Sequence, residues 1–119
     1  MFEITEKFNS INNLRRHYIK YVKAVNNRTG VSLGDLTIRE YEKLADDTQR
    51  MPVDNKRIFG YEIEKDGRRA YNKFDKQTNV FVAYYYNGNT PLTINCYGMH
   101  FDQFMRRERN KIGDIPKGK

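Results

Sequence analysis

An α+β fold is predicted from three features of the chain. In the first fifty residues apolar side chains recur every three or four positions, the spacing of one helical face. From about residue 57 the pattern changes to strict alternation, the period of a strand. Asp66-Gly67 and Asn87-Gly88 mark tight turns between alternating segments. Helices gathered ahead of a run of antiparallel strands give two N-terminal helices packed on a four-stranded meander, closed by a short C-terminal helix. Residues 1–119 contain no repeat and no linker, so a single domain is expected.

Phe2, Ile4, Phe8, Ile11, Leu14, Tyr18, Tyr21, Val22 and Val25 recur at helical spacing. They predict a first helix over about 4–26, within the segment 1–30 and stopped near Gly30. Thr37, Ile38, Arg39 and Glu40 spell a capping box, in which the Thr and Glu side chains accept from the first free amides of a helix. A second helix is therefore predicted over 37–51, with Ile38, Tyr41, Leu44 and Ala45 inward and Pro52 ending it. Strands are expected near 57–64, 68–74, 80–86 and 91–97, making a sheet over 57–97 with a middle turn from Asp75 to Asn79. A terminal helix over 101–111 sets Phe101, Phe104 and Met105 opposite Arg106, Arg107, Arg109 and Lys111.

Seven Phe and nine Tyr supply the core, since the chain is otherwise polar. The formal net charge is +7, and from Lys7 to Gly34 there are six Lys or Arg and no acid. Such a surface favours nucleic acid, an anionic membrane or an acidic protein. The single cysteine, Cys96, excludes an internal disulfide and a cysteine-based zinc site. No apolar run approaches the roughly 18 residues of a membrane span, and no signal peptide opens the chain. A soluble, cytoplasmically made protein is expected, or a fragment of a larger one. There is no phosphate loop, dinucleotide fingerprint, nucleophile elbow or metalloprotease helix. No carboxylate cluster offers a magnesium site, so a nuclease built on this chain is expected to need neither metal nor cofactor.

On the first helix Arg16, Lys20 and Lys23 lie opposite the apolar arc, and His17 falls on the border. A border histidine is more often a packing residue than a catalyst, yet a group near pKa 6.5 beside cations also suits proton transfer at a phosphodiester. In the sheet, Arg69, Tyr71 and Lys73 share a face with Glu62 and Glu64, opposite Phe59, Ile63, Ala70 and Phe74. Alternation puts Thr93 and Asn95 with Val80, Val82, Tyr84 and Tyr86, and puts Leu92, Ile94 and Cys96 with Phe81, Ala83 and Tyr85. Both N-terminal helices are expected on the Phe81/Ile94 face. The other face should then display Arg69, Tyr71, Lys73, Thr93, Asn95, Tyr97 and part of Tyr84 to Tyr86. Rings that stack on bases beside cations that hold phosphates make an RNA surface. The RNA-binding candidates are Arg16, Lys20, Lys23, Tyr71, Tyr84, Tyr86, Arg106 and Arg107. The same composition suits an ordinary half-solvated sheet, and spacing does not separate the two.

Gly67 to Asn72 (GRRAYN), then Thr78 to Ala83 (TNVFVA), then Leu92-Thr93-Ile94, resemble the strand pattern of the BECR-fold ribonucleases (barnase, EndoU, colicin and RelE types). These occur as C-terminal toxin domains of contact-dependent inhibition and related polymorphic systems. His17, and Glu40-Tyr41 with Leu44-Ala45, fit the helical slots of that family, so the resemblance covers about residues 14–97. Tyr18 stands where a glycine commonly follows the helical histidine, and Tyr97-Gly98-Met99-His100 replaces an aromatic–proline sequence.

The resemblance implies a metal-independent endoribonuclease toxin that cuts tRNA or other RNA, leaving a 2′,3′-cyclic phosphate and a 5′-OH. His17 or His100 would transfer the proton, Arg69 and Lys73 would stabilise charge, and Thr93 and Tyr97 would be donors. It further implies an acidic immunity protein as partner, a monomer when free, and delivery or secretion into a target-cell cytoplasm. The alternative is a non-catalytic, basic nucleic-acid-binding module of phage or plasmid origin, acting in the cytoplasm. A protein–protein inhibitor with incidental positive charge is a third reading.

Overall fold

Ser10 opens the first helix of the computed structural model, which describes residues 8, 10–23, 31–116 and 118. The Ser10 hydroxyl accepts from the Asn13 amide at 3.0 Å. Helix α1 runs Ile11–Tyr18 and continues as a π-helical turn, Ile19–Lys23. Phe8 is not helical: its backbone bridges in parallel to Thr93. The helix predicted from about residue 4 therefore starts only at Ile11, because a serine cap and a strand edge ahead of it satisfy the local backbone better than a further helical turn. The predicted helical residues 4–7, 9 and 24–26, with Phe2 and the stop near Gly30, lie outside the described residues.

The capping box forms as predicted. Glu40 N–H donates to Thr37 Oγ1 at 3.1 Å and Thr37 N–H to Glu40 Oε1 at 2.8 Å, opening α2 over Ile38–Arg50. Four strands follow: β1 Ile58–Lys65, β2 Arg68–Asp75, β3 Val80–Asn87 and β4 Thr90–Gly98. They pair antiparallel in chain order, the expected meander. The first hairpin turns on Asp66 (φ 52°) and Gly67 (φ 76°), two left-handed residues in succession. The second pairs Asn87 with Thr90, so its loop is Gly88-Asn89, one residue beyond the predicted Asn87-Gly88. Helix α3, Phe101–Arg107, and a 3₁₀ turn, Glu108–Asn110, complete the described chain with a strap that lies along β1. Among the described residues no helix is long and apolar enough to cross a membrane.

The packing departs from the expected arrangement in one respect that decides where a site can be. Both N-terminal helices cover the Val80/Val82/Tyr84 face, not the Phe81/Ile94 face. Leu14 of α1, and Tyr41 and Ala45 of α2, pack there with Phe8, Val80, Val82, Tyr84 and Cys96. Helix α3 covers the other side, where Phe104 joins Tyr61, Phe74, Phe81, Ala83 and Met99. Both faces are thus occupied. Lys73, Thr93 and Tyr84, expected on a solvated face, are each 0% exposed.

A β-bulge explains the rest. The register shifts between Ala83 and Tyr84: Tyr84 pairs with Thr93 but Ala83 pairs with Asn95, leaving Ile94 over. Beyond that point every β4 side chain changes sides. Cys96 enters the core beside Val82, while Asn95 and Tyr97 move to the Ala83/Phe81 side, away from Thr93. Simple alternation could not show this, because one extra residue inverts the face of all that follow.

Candidate functional site

Lys73 is the clearest case of a predicted site residue with a different task. Its Nζ donates to the Gln49 and Met51 carbonyl oxygens at 2.8 and 2.6 Å, groups that the end of α2 leaves without helical partners. Burial lowers its pKa to about 8. Thr93 bridges to Phe8, and its Oγ1 has no partner among the described residues. Tyr84 packs edge-on against Tyr71 and Tyr86 at 5.6 and 5.7 Å, so these three RNA-binding candidates form a ring cluster of the core and its margin. Arg69 is exposed on the same side and pairs with Glu62 at 3.4 Å. His100 is exposed at the start of α3, where its backbone N–H donates to Gln103 Oε1 at 2.9 Å. Lys23 lies 3.9 Å from Asp35 and Arg106 3.6 Å from Asp102, both exposed pairs.

The remaining candidates converge. His17 sits with its ring edge-on to Tyr21 at 5.8 Å, and Tyr21 stacks on Tyr97 at 4.8 Å. The Tyr21 hydroxyl donates to Asn95 Oδ1 at 3.4 Å. Arg107, reaching over from α3, donates through Nη1 to the Tyr97 hydroxyl oxygen at 2.6 Å. A continuous line of polar groups, His17–Tyr21–Asn95–Tyr97–Arg107, therefore runs along the outer edge of β4. Three elements build it. Helix α1 and its π turn supply His17 and Tyr21, β4 supplies Asn95 and Tyr97 past the bulge, and α3 supplies Arg107. π turns recur at functional sites, and this one carries Tyr21.

The electrostatics of the line are cationic. Burial is the main influence on His17, and the charges of Arg16, Lys20 and Lys65 act the same way, lowering its pKa to about 4. The imidazole is neutral at pH 7. Its Nδ1 is buried without a partner among the described residues. Lys20 lies 5.1 Å from the Tyr21 ring centroid, so a cation flanks the stack. By contrast Cys96 is inert: burial pushes its thiol up to about 12, far from the thiolate a nucleophile needs. Among the described residues no group of three His, Cys, Asp or Glu could hold a metal ion.

Sequence reasoning read Tyr21 as part of the apolar arc, put Asn95 on one face with Thr93, and did not single out Lys65, whose charge acts on His17. Asn13, His17 and Tyr21 recur at a spacing of four, the signal that could have placed a polar stripe on α1 beside the apolar one. Alternation puts Asn95 on the wrong side, since its side depends on the bulge. Comparison with protein families, with curated proteins and with solved structures finds no match.

Proposed function

We propose that the protein is a metal-independent endoribonuclease working at the His17–Tyr21–Asn95–Tyr97–Arg107 line. The observation that supports it is the chain of ring contacts that links a neutral imidazole through Tyr21 to a hydroxyl held by an arginine, with cations beside it. His17 Nε2 takes the proton of a ribose 2′-OH as that oxygen bonds to the adjacent phosphorus. The bond from phosphorus to the 5′ oxygen breaks, and the Tyr97 hydroxyl returns a proton to the leaving oxygen. Arg107, Lys20 and Lys65 stabilise the charge on the five-coordinate phosphorus. A bound phosphate also offsets the cations that help hold the His17 pKa down, which strengthens the base once substrate arrives. The toxin reading, with tRNA as substrate and an acidic protein that masks the cationic edge, rests on the resemblance in the strands and on the charge of +7.

The test is incubation of the protein with total tRNA in EDTA, followed by end-group analysis. Cyclic phosphate and 5′-OH ends are expected, and 2′-O-methyl RNA should resist. His17→Ala should lower the rate about 10²- to 10⁴-fold and Arg107→Ala about 10²- to 10³-fold, with the fold intact. Intact RNA, or cleavage that depends on added magnesium, would refute the reading. A non-catalytic nucleic-acid-binding module is the second reading. It is favoured by the burial of Lys73 and Thr93 away from the line. RNA binding without cleavage would establish it.

A further inference from the structure

One turn before His17 on α1, a cleft of about 120 Å³ opens between Asn13, the β1–β2 turn and the hairpin end of the sheet. Lys65, Asp66, Arg68, Tyr85 and Ile94 complete its lining. Ile94 reaches it because the bulge leaves that residue out of the ladder. The Arg68 guanidinium carbon lies over the Tyr85 ring, 4.1 Å from its centroid, giving the cleft a cation above an aromatic face. Asn13 Oδ1 is buried and has no hydrogen-bond partner among the described residues. An acceptor left in that state is destabilising, so a donor brought by a ligand is favoured.

We infer that this cleft binds the base of one cytidine in single-stranded RNA, with the neighbouring phosphate on Lys65 and Arg68. The inference deepens the proposed function and rests on its premise that the protein takes RNA. Three properties select the ligand. An enclosed cavity of about 150 Å³ takes one benzene ring, so this open cleft of about 120 Å³ takes at most one six-membered ring and leaves the second ring of a purine outside it. Asn13 and Asp66 line the cleft, and an amide oxygen without a partner beside a carboxylate suits an exocyclic amine carrying two N–H groups. Cytosine presents that amine, whereas uracil presents a carbonyl oxygen in its place. Lys65 and Arg68 outnumber Asp66, which leaves a positive charge for a phosphate, and a guanidinium plane stacks well on an unpaired base. Asn13 and His17 are one helical turn apart, about 5–6 Å between their β-carbons. A base held at Asn13 therefore brings its nucleotide within one helical turn of His17.

The experiment is an NMR titration of the full chain with 5′-CMP, 5′-UMP and 5′-AMP. CMP should shift the amides of Asn13, Arg68 and Ile94 and bind about fivefold or more tightly than UMP or AMP, the worth of one hydrogen bond. Arg68→Ala should weaken CMP about fivefold or more. Asn13→Leu should bring CMP to the level of UMP while the remaining spectrum stays folded. AMP binding as well as CMP overturns the size argument, UMP equal to CMP overturns the acceptor argument, and shifts confined to other residues overturn the site. Cleavage of C-rich against U-rich oligoribonucleotides is read separately. CMP bound in the cleft without any cleavage refutes the ribonuclease reading alone. Cleavage with no cytidine preference and no shift in the cleft refutes the subsite alone.

Discussion

At His17 burial and three cations act in the same direction, and the consequence is measurable. The folded imidazole titrates near 4 against about 6.5 unfolded, so between those values the unfolded chain binds more protons. Stability from this residue is fully present above about 6.5 and is lost as pH falls toward 4. After allowance for partial solvent access the loss is about 2 kcal/mol. Thermal unfolding from pH 7 to 4 should show it, and His17→Ala should flatten the slope; an unchanged slope would mean that the histidine is freely solvated. If the protein cleaves RNA as proposed, the acid limb of its pH profile should likewise fall near pH 4 and not near 6.5. Lys73 and Thr93 give a second contrast. Lys73→Met strands two carbonyls at the end of α2 and should lower stability by about 1–3 kcal/mol without slowing cleavage by the folded fraction. Thr93→Val removes a hydroxyl with no partner among the described residues, so the melting temperature should hold or rise. Loss of cleavage in a folded Thr93→Val protein would return Thr93 to the catalytic machinery.

The elements protect their own margins. The strap after α3 pairs with β1 through Ile112 N–H to Glu62 O and Glu62 N–H to Gly113 O, both at 2.8 Å. That covers the outer edge of the sheet, which would otherwise be a template for another chain. Gly60 permits it. A β-carbon there would lie 2.6 Å from Ile115 Cδ1, 2.9 Å from Val53 Cγ2 and 3.0 Å from the Asn72 carbonyl oxygen. Gly60→Val should therefore lift the strap and cost about 1–3 kcal/mol, the range for overpacking. The checks are thermal unfolding and light scattering: a lower melting temperature with concentration-dependent association is expected, and wild-type behaviour in both would show that the strap is dispensable.

For the molecule as a whole the excess of 22 basic over 15 acidic residues sets how it meets a partner. Arg16 and Lys20 are exposed beside the β4 line, with Arg107 at its far end. If that edge is where RNA binds, each neutralised phosphate releases counterions, and affinity should fall steeply as salt rises. Fluorescence anisotropy with a labelled oligoribonucleotide at two salt concentrations checks this, and an affinity indifferent to salt would exclude an electrostatic mode. Burial of Lys73 removes one cation from that count, and the Arg69–Glu62 pair partly offsets another.

The α+β class, the strand limits to within a residue or so, the capping box at Thr37 and the turn at Asp66-Gly67 were all legible in the chain. Each depends on contacts a few residues apart: side-chain period, a hydroxyl over the nearest free amides, a glycine tolerant of positive φ. The side of the sheet that each helix covers was not legible, because both faces are apolar enough to be buried and only the competition between α1, α2 and α3 assigns them. The site followed the same division. His17, Tyr97 and Arg107 stand out by residue type, but their meeting depends on the bulge that turns Asn95 and Tyr97 over, on the π turn that carries Tyr21, and on α3 folding back to the sheet. Those are contacts between residues up to 74 positions apart, such as Tyr21 with Asn95, and no local pattern encodes them.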